Sequence, residues 1–149
     1  MTGVRAAGGR DVVATGLVAF GAVQVGLGLF QALAPATFFD SVGPFGDRND
    51  HYVRDLAAYT IPLGVLLLLA VRRRGWRVPV LLFAVLYYAL HTVGHLIDVT
   101  EADPEANGPV TLALVAGGTV LLAWLLRRAH AEEAGSAGRS TSPAGPPGS

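Results

Sequence analysis

The sequence predicts an all-α, polytopic membrane protein: a four-transmembrane-helix bundle with both termini in the cytoplasm. Three observations predict it. Of 149 residues, 52% are hydrophobic and only 15% charged, against about 25% charged in an average soluble domain. The apolar residues fall in four long runs instead of along amphipathic faces, and the arginines crowd onto one side of those runs.

A helix that crosses a hydrocarbon core of about 30 Å needs about 20 mostly apolar residues. The first run, residues 12–34, is uncharged. Ala32-Leu33-Ala34 resembles a signal-peptide cleavage site. The run, however, outlasts a typical signal core of about 7–15 residues, and Pro35 follows directly, so a retained span is expected. In the second run only residues 56–71 are continuously apolar, about 24 Å of helix at about 1.5 Å per residue. To cross, it must begin near residue 52, which draws Arg54 and Asp55 into the margin of the bilayer. Pro62 is expected to kink it. The third run, residues 76–98, contains His91 and His95. The fourth, residues 109–128, opens on Pro109, which a first helical turn tolerates, and Gly117-Gly118 with Ala113 predicts close packing. Residues 1–11 form a cytoplasmic N-terminus. Residues 129–149, rich in Gly, Ser, Ala and Pro, predict a disordered cytoplasmic tail, because they cannot bury enough apolar surface to offset their ordering entropy.

Arginine fixes the orientation, since basic residues accumulate in cytoplasmic loops. Arg5, Arg10, Arg72, Arg73, Arg74, Arg77, Arg127, Arg128 and Arg139 fall on one side, and only Arg48 and Arg54 on the other. That other side also holds Asp40, Asp47, Asp50, Asp55, Asp98, Glu101, Asp103 and Glu105. Trp76 and Trp124 fit an aromatic belt at the cytoplasmic face. The location expected is the cell membrane, with the lipid bilayer as first partner. The zero formal net charge gives no reason to expect nucleic acid as a partner. The absence of cysteine excludes disulfides, thiol redox chemistry and thiolate metal ligands. The absence of lysine excludes Schiff-base chemistry.

Polar groups inside apolar spans are costly and face the bundle interior. Tyr88, His91, His95 and Asp98 follow steps of three, four and three, which places them on one helical face. His51, Asp55 and Tyr59 follow steps of four, and Gln24, Gly28 and Gln31 share a stripe of the first span. The topology brings the start of the second helix and the end of the third to one side. Asn49, Asp50, His51, Arg54, Asp55, His91, His95 and Asp98 are therefore expected at similar depth, with His91 about 10 Å below Asp98 by helical rise. Such groups also serve simply as interhelical glue, worth about 0.6 kcal/mol each on average. Three histidines, an arginine and three carboxylates at one level exceed that need.

At Gly43-Pro44-Phe45, at Asn49-Asp50-His51-Tyr52-Val53-Arg54-Asp55-Leu56-Ala57-Ala58 and at His91-x-x-x-His95, the chain resembles a group of small four-helix membrane proteins of DoxX-like size. They are common in high-GC Gram-positive bacteria and mostly have no assigned function. The resemblance spans about residues 12–128. It implies the fold and topology above and Asp50, His51, Arg54, Asp55, His91 and His95 as signature positions. A looser similarity is to integral-membrane terpene cyclases, which protonate an isoprenoid with a membrane-embedded carboxylic acid. Those of fungi are about twice as long, with seven helices.

Three functions follow. The first is an acid–base enzyme on a lipophilic substrate, such as a terpene cyclase-like or isomerase activity on an isoprenoid, with no cofactor. A carboxyl group in low dielectric retains its proton, so Asp55, Asp98 or Asp50 would donate it, with His91 or His95 as base. Tyr52, Tyr59, Tyr87 and Tyr88 would stabilise a cation through their ring faces, with Gln24 and Arg54 also contacting substrate. The second is a non-catalytic role, either as an accessory subunit or as a small-molecule or proton pathway, in which a homo-oligomer is expected. The third is zinc held by His91 and His95, with His51, Asp98 or Asp50 completing a tetrahedral site.

Overall fold

The computed structural model describes residues 11–140. Among them the elements are α1 (Val12–Leu33), α2 (Pro35–Ser41), α3 (Asp50–Arg72), α4 (Arg77–Ile97) and α5 (Asn107–Ser140), with a 3-10 turn at Arg74–Trp76 leading into α4. All but α2 are long and apolar enough to cross a membrane. The predicted all-α four-helix bundle is the fold observed. Arg5, Arg10 and residues 141–149, to which the sequence assigned cytoplasmic positions, lie outside the described residues.

Side-chain caps explain two of the helix starts. Asp11 accepts a hydrogen bond from the backbone N–H of Ala14 at 2.9 Å, and Asn49 from those of His51 and Tyr52 at 3.0 and 3.3 Å. Asn49 thus opens α3 at Asp50, two residues ahead of the expected start, and α3 runs unbroken past Pro62. Two features differ from expectation. Pro35 at the first helical position starts the short α2. And α5 does not end at residue 128: it continues to Ser140, because residues 127–134 are Arg, Ala, His and Glu, mostly good helix formers, and Glu132 is tied to another helix (below).

The bundle consists of two close pairs, α1 with α3 and α4 with α5. In the first pair the backbones approach so closely that a methyl group on Gly64 would lie 2.7 Å from the Val25 backbone nitrogen and 2.9 Å from the Gly21 carbonyl oxygen. Small residues of this kind let membrane helices pack without a hydrophobic drive between them. Close packing was expected at Gly117-Gly118: a methyl group on Gly118 would lie 2.9 Å from the Tyr88 ring of α4, as expected, whereas one on Gly117 would meet nothing within 4 Å. The two pairs join at the arginine-rich end. There Leu17, Leu63, Leu67, Leu81, Leu122 and Leu125 are fully buried in one cluster. Leu29, Leu69, Phe83, Leu86, Leu90 and Val120 point outward, an apolar surface far larger than a water-soluble monomer shows and compatible with lipid contact.

Below that cluster Arg77, only 3% exposed, ties the helices together. Its Nη1 and Nη2 donate to Asp11 Oδ1 and Oδ2 at 3.1 and 2.7 Å, Nη1 to Glu132 Oε2 at 3.2 Å, and Nη2 to the Val71 carbonyl at 3.2 Å. One guanidinium on α4 therefore holds the cap of α1, the end of α3 and the last turns of α5. A fork-on-fork pair with a carboxylate is among the strongest polar contacts available. Arg74 adds a looser contact to Asp11 at 3.6 Å. The hydrogen bond from Arg77 holds the Asp11 carboxyl below the ordinary aspartate range; burial opposes this, and the Ala14 N–H and the charges of Arg77 and Arg74 reinforce it.

Three outcomes follow. Arg77→Met should cost about 1–3 kcal/mol of stability, the range for leaving buried polar partners unmatched, whereas Arg74→Ala, at an exposed site, should change little. Equal melting temperatures for the two variants in detergent would remove Arg77 as the tie. A lowered Asp11 pKa means that its contribution is complete above the ordinary aspartate value of about 3.9 and is lost as the pH falls through the lower folded value. Asp11→Asn should therefore flatten the acid limb of the stability curve below about pH 4. Gly64→Leu should part α1 from α3 at a cost of about 1–3 kcal/mol, the usual penalty of overpacking, measurable by the same melting experiment.

Candidate functional site

At the end opposite Arg77 the helices part around a cavity of about 740 Å³, within the roughly 300–1,000 Å³ typical of small-molecule sites. α1 contributes Val23, Gln24, Leu27 and Gln31, α3 contributes Tyr52, Leu56 and Thr60, and α4 contributes Tyr87, Tyr88, His91 and His95, with Asp98 just past its end. Leu114 and Val115 of α5 complete the walls. Val23 and Leu114 line the cavity yet are 55% and 70% exposed. α1 and α5 meet lower down, where Gly16 faces Leu125 and Phe20 lies near Gly118. The wall between those two helices is thus incomplete at cavity level, on the apolar outer surface.

The face of α4 that the sequence singled out is the one that turns inward. Tyr87 stacks on His91 with ring centroids 6.0 Å apart, and His91 meets His95 edge-on at 4.7 Å. Asp98 caps the end of α4 three residues beyond His95 and is exposed. Tyr88 donates its O–H to Gln24 Oε1 at 2.9 Å and meets Phe20 edge-on, and Thr92 meets Thr119 of α5 at 2.9 Å. The stripe of Gln24, Gly28 and Gln31 is buried, as its spacing implies. Nδ1 of His95 and Oε1 of Gln31 are buried with no hydrogen-bond partner. Unmatched polar atoms of this kind mark places where a ligand or water can bond.

The α3 half of the expected cluster is placed differently. His51 and Asp55 pair with each other at 3.4 Å on the exposed surface, Arg54 is exposed, and Tyr59 is 66% exposed. None of the four lines the cavity. The reason is geometric. α3 buries Ala57, Thr60, Leu63, Gly64 and Leu67 against the bundle, and positions two residues either side of Ala57 are turned by about 200° at about 100° per residue. Asp55 and Tyr59 therefore point away. Asp50 pairs with Arg48 at 3.3 Å, outside the cavity. With His51 on the outer surface, the proposed zinc set of His91, His95 and His51 is not brought together. Among the described residues no three of His, Asp or Glu gather as a metal ion would require.

Sequence reasoning missed the cover of the cavity. The chain before α3 pairs with the chain before α5: Phe45 and Ala102 form an antiparallel bridge, the Asp103 N–H donates to the Pro44 carbonyl at 3.0 Å, and the Gly46 N–H to the Glu101 carbonyl at 3.4 Å. Gly46 takes φ +61° at this turn, a conformation that glycine adopts without penalty. The strap sets the Phe45 ring edge-on to His95, with centroids 4.8 Å apart. Gly43-Pro44-Phe45, noted above only for the resemblance it carries, was the available signal.

The chain is free of cysteine, so single-cysteine variants report exposure directly. A thiol at Asp55 should react with a water-soluble maleimide faster than one at Tyr87 by about tenfold or more, the factor set by about 1.4 kcal/mol of access cost. Equal rates would mean that the cavity wall is not closed by α4. In comparison with known proteins no family model, no curated protein and no solved structure matches the chain, so the chemistry of the site is read from its own side chains.

Proposed function

We propose that this chain is a multi-pass protein of the cell membrane, with both termini in the cytoplasm, that binds a lipophilic molecule in the cavity and moves protons on it. What carries the reading is an apolar-walled chamber reached from the lipid-facing side, with two adjoining imidazoles and one carboxylate on a single wall. Imidazole exchanges protons near neutrality more readily than any other side chain. The step that fits is an isomerisation. His95, backed by Asp98, takes a proton from a carbon made acidic by conjugation to the substrate's own polar group. The His95 imidazolium so formed returns that proton to a second carbon, with the neutral His91 ring packed edge-on against it. One C–H bond breaks, another forms, the double bond moves, and charge is conserved. Tyr87 and Tyr88 flank the path with their ring faces.

Proton-initiated cyclisation of an isoprenoid is the second reading. It is the weaker one, because Asp55 faces outward and the remaining acid, Asp98, is exposed and lacks the low-dielectric setting that would keep its proton. A transport pathway is supported less well, because the buried leucine cluster fills the bundle between the cavity and Arg77. Membership of the small four-helix group remains part of this proposal, carried by the strap and by the His91–His95 pair.

A hydrogen-exchange experiment separates these readings. Protein in nanodiscs, incubated in heavy water with an isoprenoid-rich lipid extract, should introduce deuterium into one lipid species detected by mass spectrometry. His95→Gln should lower that incorporation by about 10²–10⁴-fold, the usual contribution of a general base, while Asp55→Asn should leave it unchanged. Undiminished incorporation in a His91→Gln, His95→Gln double variant would overturn the assignment.

A further inference from the structure

We propose that the cavity selects an uncharged amphiphile: an isoprenoid-sized molecule whose polar end is a single neutral hydroxyl-type group, enolic where the molecule is the substrate of the isomerisation above, seated at Gln31. This deepens the lipophilic-ligand reading above and rests on it.

Two buried glutamines stand seven residues apart on the inward stripe of α1. The fold satisfies one of them, for Gln24 Oε1 accepts the Tyr88 O–H. Gln31 is only 5% exposed, lines the cavity, and has no partner for Oε1. An amide oxygen left bare in this way costs about 1–3 kcal/mol. A ligand O–H recovers that cost, whereas a pure hydrocarbon leaves it standing. A hydroxyl also suits the amide in either orientation, because it both donates and accepts. His95 Nδ1, the second bare atom of the cavity wall, accommodates the same neutral chemistry.

Charge decides against the other head groups. Among the described residues no arginine lines the cavity, and its two carboxylates, Asp47 and Asp98, are exposed. Arg48, between the lining residues Asp47 and Asn49, is engaged by Asp50 at 3.3 Å, and Arg54 is exposed and outside the lining. A diphosphate or carboxylate drawn down to Gln31 would be stripped of water with no cation to meet it, and a buried unpaired charge costs several kcal/mol. An ammonium head there would likewise lack a buried carboxylate.

The test uses full-length protein in neutral-lipid nanodiscs and four matched probes: farnesol, farnesene, farnesyl diphosphate and farnesylamine, each displacing radiolabelled farnesol. Farnesol should bind about tenfold more tightly than each of the other three, equivalent to about 1.4 kcal/mol. Gln31→Leu should bring farnesol and farnesene within about twofold of each other while farnesene binding persists, which shows that the cavity is still formed. Diphosphate or amine binding as tight as farnesol, or an alcohol preference that survives Gln31→Leu, overturns the head-group assignment and leaves the lipophilic cavity standing. Failure of all four probes to bind overturns the lipophilic-ligand reading itself.

Discussion

A guanidinium buried at the end of a helical bundle must be neutralised and hydrogen-bonded, or the bundle cannot close over it. Here the groups that bond the two terminal nitrogens of Arg77 come from the cap of α1, the last turn of α3 and the extension of α5. A single side chain thus sets the spacing of four helices at one end. The leucines stacked above it fill the space so defined. Because the arginine-rich end is fixed by ionic bonds and by packing, the opposite end can splay without loss of assembly. The cavity exists where that packing stops.

The pairing of helices follows the same division. α1 and α3 are joined backbone to backbone through Gly21, Gly28 and Gly64, whereas α4 and α5 meet through Tyr88 over Gly118 and through Thr92 and Thr119. Each pair behaves as a two-helix plate. The site lies on the inner face of the α4 plate, opposite the glutamine stripe of the α1 plate. Its polar groups therefore face one another across apolar space instead of binding directly, apart from the link between Tyr88 and Gln24.

Much of this was legible in the chain. Hydropathy located all four helices long and apolar enough to cross a membrane, because hydrocarbon thickness dictates their length, and steps of three and four set Tyr88, His91 and His95 on one inward face, with Asp98 exposed just past its end. The same periodicity failed on α3. Spacing shows that His51, Asp55 and Tyr59 share a face but not which way that face points, and the decision was made by Gly64 and its small neighbours packing on α1. Arg77 was invisible for a related reason. A positive-inside count treats every arginine alike, whereas its partners Asp11 and Glu132 lie 66 and 55 residues away in sequence. The strap was missed because a bridge between two loops leaves no periodic trace.

The strap joining residues 44–46 to residues 101–103 has a consequence for how such a chamber can be loaded. It ties these two segments with backbone bonds that no side-chain rotation can open, so under the lateral route proposed above a molecule dissolved in the hydrocarbon would enter between α1 and α5. Traffic of that kind is set by partition into the bilayer. The effective supply of ligand is then the two-dimensional density of a species in its leaflet. Its concentration in the aqueous phase matters only through that density.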